Sequence, residues 1–137
     1  MLQIRWNEKY HLGIECVDEE HKQLVEVINS CFNSILHQDN VLIKASANQV
    51  IKSVHEHFAS EEELMRKCSF DGLLEHMNEH QKLCLLMEDG IQQALSLKTG
   101  EEIKEFVEGM IMQFFHHIIE EDSKFLETYQ QHQILSR

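Results

Sequence analysis

Apolar residues recur at three- and four-residue intervals in four stretches of the chain, each set off from the next by a short polar or glycine-containing break. That spacing places the apolar side chains on one stripe of an α-helix. Four such stripes joined by short breaks predict an all-α fold, an up-and-down antiparallel four-helix bundle behind an irregular N-terminal leader. The predicted helices cover about residues 18–37, 41–67, 73–97 and 101–130 of a single domain spanning 1–137, with the leader over 1–17. The first carries Leu24, Val25, Ile28, Phe32 and Ile35 inward, and Asp18 is its expected N-cap, with Glu19 and Glu20 suited to the first turn. The second starts near Val41 and presents Val50, Val54, Phe58, Leu64 and Met65 before CSFDG ends it, with Asp71 and Gly72 in the turn. The third carries Leu73, Met77, Leu83, Cys84, Met87 and Ile91 and closes at LKTG, where Gly100 reads as a C-terminal signal. The fourth shows Ile103, Phe106, Met110, Phe114 and Ile118, and Trp6, Tyr10 and Ile14 of the leader are expected to pack on the bundle.

Composition strengthens the helical reading and narrows the function. The chain has no proline and only 5 glycines, which excludes an all-β architecture, and 137 residues at 42% hydrophobic content suffice for one continuous core. A formal charge of -12 repels phosphate backbones and anionic lipid, so neither nucleic acid nor membrane is an expected partner. No apolar stretch approaches the roughly 20 residues that span a bilayer, and the opening MLQIRWNEKYHLGIEC lacks the apolar centre of a secretory signal. A cytoplasmic protein is expected. Its cysteines, Cys16, Cys31, Cys68 and Cys84, are far apart and are expected to be reduced, with Cys31 and Cys84 acting as small buried hydrophobes.

The 10 histidines change the picture most, because several fall on the apolar stripes. His21 heads the inner stripe of the first helix. His57 follows Val54 on the second, and Glu61 lies one turn further on the same face. His76 and His80 share the apolar row of the third helix, and His117 follows Phe114 on the fourth. Taken singly, a histidine on an apolar face is an ordinary hydrogen-bonded core residue, and His57 with Glu61 is an ordinary surface pair. Together, five imidazoles and a carboxylate buried at one level would lack partners at prohibitive cost, and a metal supplies them. His11, His37, His55, His116 and His132 are assigned to solvated surfaces.

A two-metal site needs more negative charge than Glu61 alone provides, and Asp122 is the best candidate for the second carboxylate. It follows His117 by five residues, roughly 140° out of phase on a regular helix, so a π-bulge, a break or a tightened turn is predicted within residues 118–121. Five imidazoles, two carboxylates each binding twice and one bridging oxide or hydroxide come one bond short of filling two octahedra. The open position, on the ion with fewer histidines, is where a small molecule binds.

Four motifs in order, DEEH ending at His21, HFASEEELM with His57 and Glu61, HMNEH with His76 and His80, and HIIEED with His117 and Asp122, resemble those of bacterial hemerythrins over nearly the whole chain. The resemblance implies that His76, His80 and His117 hold one iron ion and His21 and His57 the other. It also implies that Glu61, Asp122 and an oxo or hydroxo group bridge the two. The implied function is reversible O2 binding at this non-haem di-iron centre, for carriage, storage or delivery, without catalysis. An O2-consuming enzyme or a signalling protein is the kind of macromolecular partner implied. By their spacing, Leu24, Phe114 and Ile118 are expected to wall the O2 pocket. The chain departs from the family at Gln113, where relatives usually carry a tryptophan. That amide either reaches the pocket, bonding a ligand or admitting water, or faces a helix boundary. Trp6 and Phe70 stand where relatives carry aromatic residues. Imidazole-rich ligation suits reversible binding, whereas the carboxylate-rich oxygenases and ferritins use paired ExxH motifs that are absent here. Alternatives are an O2- or redox-sensing module, against which the stand-alone length argues, a peroxide or nitric oxide reductase, and a manganese or zinc pair in the same ligands.

Overall fold

The computed structural model describes residues 8–37, 40–97 and 99–135, with the backbone alone at 9, 40–44, 104, 107 and 118. After a 3-10 turn at Glu8–Tyr10 come α1 (Glu15–Leu36), α2 (Asn40–Lys67), α3 (Leu73–Ser96) and α4 (Gly100–Glu120). A 3-10 turn at Asp122–Phe125 then leads into α5 (Leu126–Leu135). No strand occurs among the described residues. The fold is an all-α, up-and-down four-helix bundle: α1 packs on α2, α2 on α3, α3 on α4, and α4 closes on α1. The short connections leave each helix no choice but to run antiparallel to its predecessor.

Several boundaries differ from those predicted, each for a local reason. Helix α1 starts three residues before Asp18, with Ile14 at the N-cap position. Asp18 is buried inside the first turns and reaches backwards, its carboxylate accepting hydrogen bonds from the amides of Leu12 at 2.8 Å and Gly13 at 3.0 Å. It thus ties down the chain entering the helix instead of capping the helix itself, and Gly13 at φ +93° supplies the left-handed turn this requires. Gly100 is not the terminator of α3 but the first residue of α4. Thr99 is that helix's N-cap: its hydroxyl accepts from the Glu102 amide at 3.1 Å while the Glu102 carboxylate accepts from the Thr99 amide at 3.3 Å. This capping box was present in the sequence as Thr99 followed by Glu102. The predicted fourth helix is split in two at Glu121.

The core has two parts. The larger holds Leu24, Val25, Ile28, Phe32 and Ile35 of α1 with Val50, Val54 and Phe58 of α2, Met87 and Ile91 of α3, and Ile103, Met110 and Phe114 of α4. The smaller, at the end where the leader enters, gathers Ile14, Val17, Met65, Cys68 and Phe125, with Leu12, Phe70, Leu73 and Leu126 against it. Tyr10 and Ile14 pack as expected, Tyr10 stacking on Phe115 at 4.0 Å between ring centroids. Leu64, Leu73, Met77, Leu83 and Phe106, predicted inward, are half-buried. Cys84 is half-buried as well, correcting its assignment to the core, and Cys31 is fully buried. His132 is half-buried where a solvated surface was expected. Trp6 and the side chains of Val41 and Ile118 lie outside the described residues. His21, His57 and Glu61 lie between residues of the two apolar clusters along α1 and α2, and His117 lies near the end of α4, before Phe125 of the smaller cluster.

Candidate metal centre

His21 of α1, His57 and Glu61 of α2, His76 and His80 of α3, His117 of α4 and Asp122 of the following 3-10 turn are all buried. Their ligand atoms meet between the two apolar clusters. Glu61, His76, His80, His117 and Asp122 form one group close enough to hold a metal ion, and His21, His57 and Glu61 form a second.

The two carboxylates divide their oxygens between these groups. Glu61 Oε1 lies 2.8 Å from His76 Nε2 and 3.1 Å from His80 Nε2, whereas Glu61 Oε2 lies 3.1 Å from His57 Nε2 and 3.7 Å from His21 Nε2. Asp122 does the same, with Oδ1 2.7 Å from His76 Nε2 and 2.9 Å from His117 Nε2, and Oδ2 3.3 Å from His21 Nε2. Three imidazoles thus face one side of the carboxylate pair and two face the other. Asp122 arrives because α4 ends at Glu120, where the Glu121 amide closes the last turn on the His117 carbonyl at 2.8 Å. The departure from α-helical geometry falls at the end of the predicted segment, as a break followed by a tightened turn.

The donor set fits a pair of cations. His57 Nε2, His117 Nε2, Glu61 Oε2 and both oxygens of Asp122 are buried without a hydrogen bond, although their neighbours lie about 3 Å away. The lone pairs converge without the alignment of donor to acceptor, which is the arrangement of atoms directed at a common ion. Protonation tells the same story. Burial would lower the pKa of His57, but the carboxylates of Glu20 and Glu61 outweigh it and raise the value to about 9. For His76, burial is likewise outweighed by Asp122 and Glu61, and its pKa also rises to about 9. Burial pushes Glu61 up, yet the histidines around it hold its carboxyl well below the usual range, and Asp122 is lowered in the same way by His117, His21 and His76. The carboxylates stay ionised, so the surroundings favour positive charge at this point, which is what metal cations supply.

Leu24 and Phe114 are buried beside the two-imidazole side, with the Phe114 ring edge-on to His21 at 6.4 Å between centroids. Gln113 is exposed, on one recess between α3 and α4 beside Gly109 and Met110 and on a second that also reaches His117. His11, His37, His55 and His116 are exposed. Sequence reasoning missed two acidic residues: Glu20 Oε2 lies 3.2 Å from His57 Nδ1, and Glu62 Oε2 lies 3.1 Å from His80 Nδ1. Each neighbours a converging residue in sequence, but which histidine it meets depends on how adjacent helices dock.

Fold and site together define an antiparallel four-helix bundle with an interior imidazole and carboxylate site for cations. The model of the hemerythrin HHE cation binding domain matches residues 12–129, and the chain belongs to the hemerythrin family. It is similar to the bacteriohemerythrin of Stenotrophomonas maltophilia, with 22% identity over 128 residues, 93% of this chain and 82% of that protein. The bacteriohemerythrin of Clostridium acetobutylicum is 22% identical over 126 residues, 89% of this chain and 98% of that one. The myohemerythrin of Riftia pachyptila is 31% identical over 75 residues, 55% of this chain and 58% of its own length. A crystal structure of a leucine-to-alanine mutant of hemerythrin shares the fold, with a TM-score of 0.77 at 19% identity, covering 94% of this chain and 98% of that one.

Proposed function

We propose that this chain binds O2 reversibly at a pair of non-haem iron ions held by His76, His80 and His117 on one side and His21 and His57 on the other, with Glu61 and Asp122 shared between them. The observation that carries this reading is the division of both carboxylates between three imidazoles and two. Two equivalent ions would call for a symmetric donor set, whereas this one leaves one side a ligand poorer. When bound, the iron pair supplies the electrons that O2 takes up and returns.

The chain's own residues do the rest. Neutral imidazole donates to ferrous iron without adding negative charge, so the site does not favour deep oxidation in the way a carboxylate-rich one does. Glu61 and Asp122 balance the charge of two cations in a dry interior. Leu24 and Phe114 keep water from the two-imidazole side, and the sequence adds Ile118 to the same wall. The imidazole-rich donor set, unlike the carboxylate-rich sites of oxygenases, supports binding and release of O2 in preference to its consumption. The test is spectroscopic. Purified protein loaded anaerobically with ferrous iron is expected to hold two irons per chain and to gain a visible band in air that disappears when O2 is removed, over repeated cycles. A band that never reverses, or steady consumption of peroxide or nitric oxide with an added reductant, would overturn the reading.

A further inference from the structure

His57 and His80 turn Nε2 to the centre and Nδ1 away from it, and each Nδ1 meets a glutamate that belongs to a neighbouring helix. Glu20 of α1 reaches across to His57 of α2, and Glu62 of α2 reaches across to His80 of α3. A carboxylate accepting from Nδ1–H fixes the proton on that nitrogen, leaves the Nε2 lone pair directed inward and holds the ring plane. It also makes the imidazole a stronger donor. The two glutamates stand behind opposite sides of the centre. Glu20 lies on a recess between α1 and α2 lined by Gln23, Glu26, Gln49 and Glu56. Glu62 lies on a cavity of about 820 Å³ between α2 and α3, with His55, Arg66 and Cys84 on its walls.

The two contacts are not equivalent. The Glu62 side chain is 17% exposed and that of Glu20 33%, so water screens the first less. The His80 ring is also fixed by Phe58, stacked on it at 3.8 Å with the planes 6° apart. From this geometry we infer that Glu20 and Glu62 are positioning residues for the metal centre, one behind each group of imidazoles, with Glu62 exerting the stronger hold. The inference rests on the di-iron reading above and adds to it the residues that set metal retention and redox poise.

The test compares iron-loaded wild type with Glu20→Ala, Glu62→Ala, Glu62→Gln and the control Glu63→Gln, whose native carboxylate faces Arg66 on the surface at 2.7 Å. Iron loss to a chelator and the midpoint potential of the iron pair are measured, together with the helix content and urea midpoint of the metal-free proteins. Glu62→Ala is expected to lose iron about 10- to 100-fold faster than wild type and to shift the potential upwards, with helix content unchanged. Glu20→Ala follows with a smaller effect, Glu62→Gln falls between because its amide oxygen still accepts from Nδ1–H, and Glu63→Gln matches wild type. Should Glu62→Ala fail to fold, Glu62→Gln decides by the same two measurements. Variants that lose only metal-free stability, while iron release and potential stay at wild-type values, overturn the inference. A wild-type protein that holds no iron overturns the proposed function instead, so the two failures are distinguishable.

Discussion

Glu61, like Asp122, is shared by both groups of imidazoles, its two oxygens serving opposite sides at 2.8 Å and 3.1 Å. Glu61→Gln keeps the shape but removes the charge, and is expected to weaken iron binding more than about tenfold. Retention of two irons by that variant in a metal analysis would contradict the shared role. Gln113→Ala, by contrast, changes an exposed side chain and should leave both iron content and the O2-dependent band as they are. Cys31 gives a prediction about pH. Burial pushes its thiol from 9.0 up to about 11, so between those values the unfolded chain has released a proton that the folded chain still holds. This contribution to stability is complete below pH 9 and declines as pH rises towards 11. Urea midpoints of wild type should therefore fall more steeply over that interval than those of Cys31→Ala, and parallel curves would refute the assignment. The convergence of the five histidines and Glu61 was legible from their helical phase, and Asp122 from the negative charge that such a site requires. The partners of His57 and His80 were not, because a contact across two helices depends on their relative rotation.

At the scale of elements, two glycines in helical positions are expected to respond in opposite ways to alanine. A Cβ on Gly109 meets nothing within 4 Å, so Gly109→Ala should stabilise α4 by about 0.5–1 kcal/mol through helix propensity alone. At Gly90 the same atom would collide with the buried Met110 sulfur, which must leave its place between α3 and α4. Overpacking of that kind costs about 1–3 kcal/mol, exceeding the propensity gain at most of that range. Denaturant midpoints that moved the same way for both variants would show that α3 and α4 do not approach this closely. The element boundaries show where pattern reading stops. The stripes located all four helices, but Thr99 and Glu102 contest the glycine between them, and the cap took Gly100 into α4. Asp18, suited by type to an N-cap, is drawn inside α1 because the two amides preceding the helix need an acceptor.

For the whole molecule, the centre divides the core into two apolar clusters, so what fills it bears on the stability of the bundle. Iron bound to the folded chain alone adds RT ln(1 + [Fe]/Kd) to stability, about 2.7 kcal/mol when free iron is 100-fold above its dissociation constant. Chelation should lower the thermal midpoint while leaving far-ultraviolet dichroism near its original value below the transition. The large cluster around Phe32, Val50 and Ile91 contains none of the converging histidines or carboxylates, so its packing does not depend on the ions. Equal midpoints with and without iron would mean that the cluster holds no ion of consequence. None of the helices among the described residues is long and apolar enough to cross a membrane, in keeping with the short stripes of the sequence. The sequence by itself determined the all-α class and the inward phase of the five histidines and Glu61, because helical periodicity is a local property of the chain. It also located the break before Asp122, because a carboxylate five residues from His117 cannot share its face on a regular helix. Only the tertiary structure decided which oxygen of each carboxylate faces which imidazoles, that Glu20 and Glu62 stand behind His57 and His80, and that Gln113 turns to solvent. Those depend on the rotation and depth at which neighbouring helices dock, set by packing across the whole bundle and by no short stretch of residues.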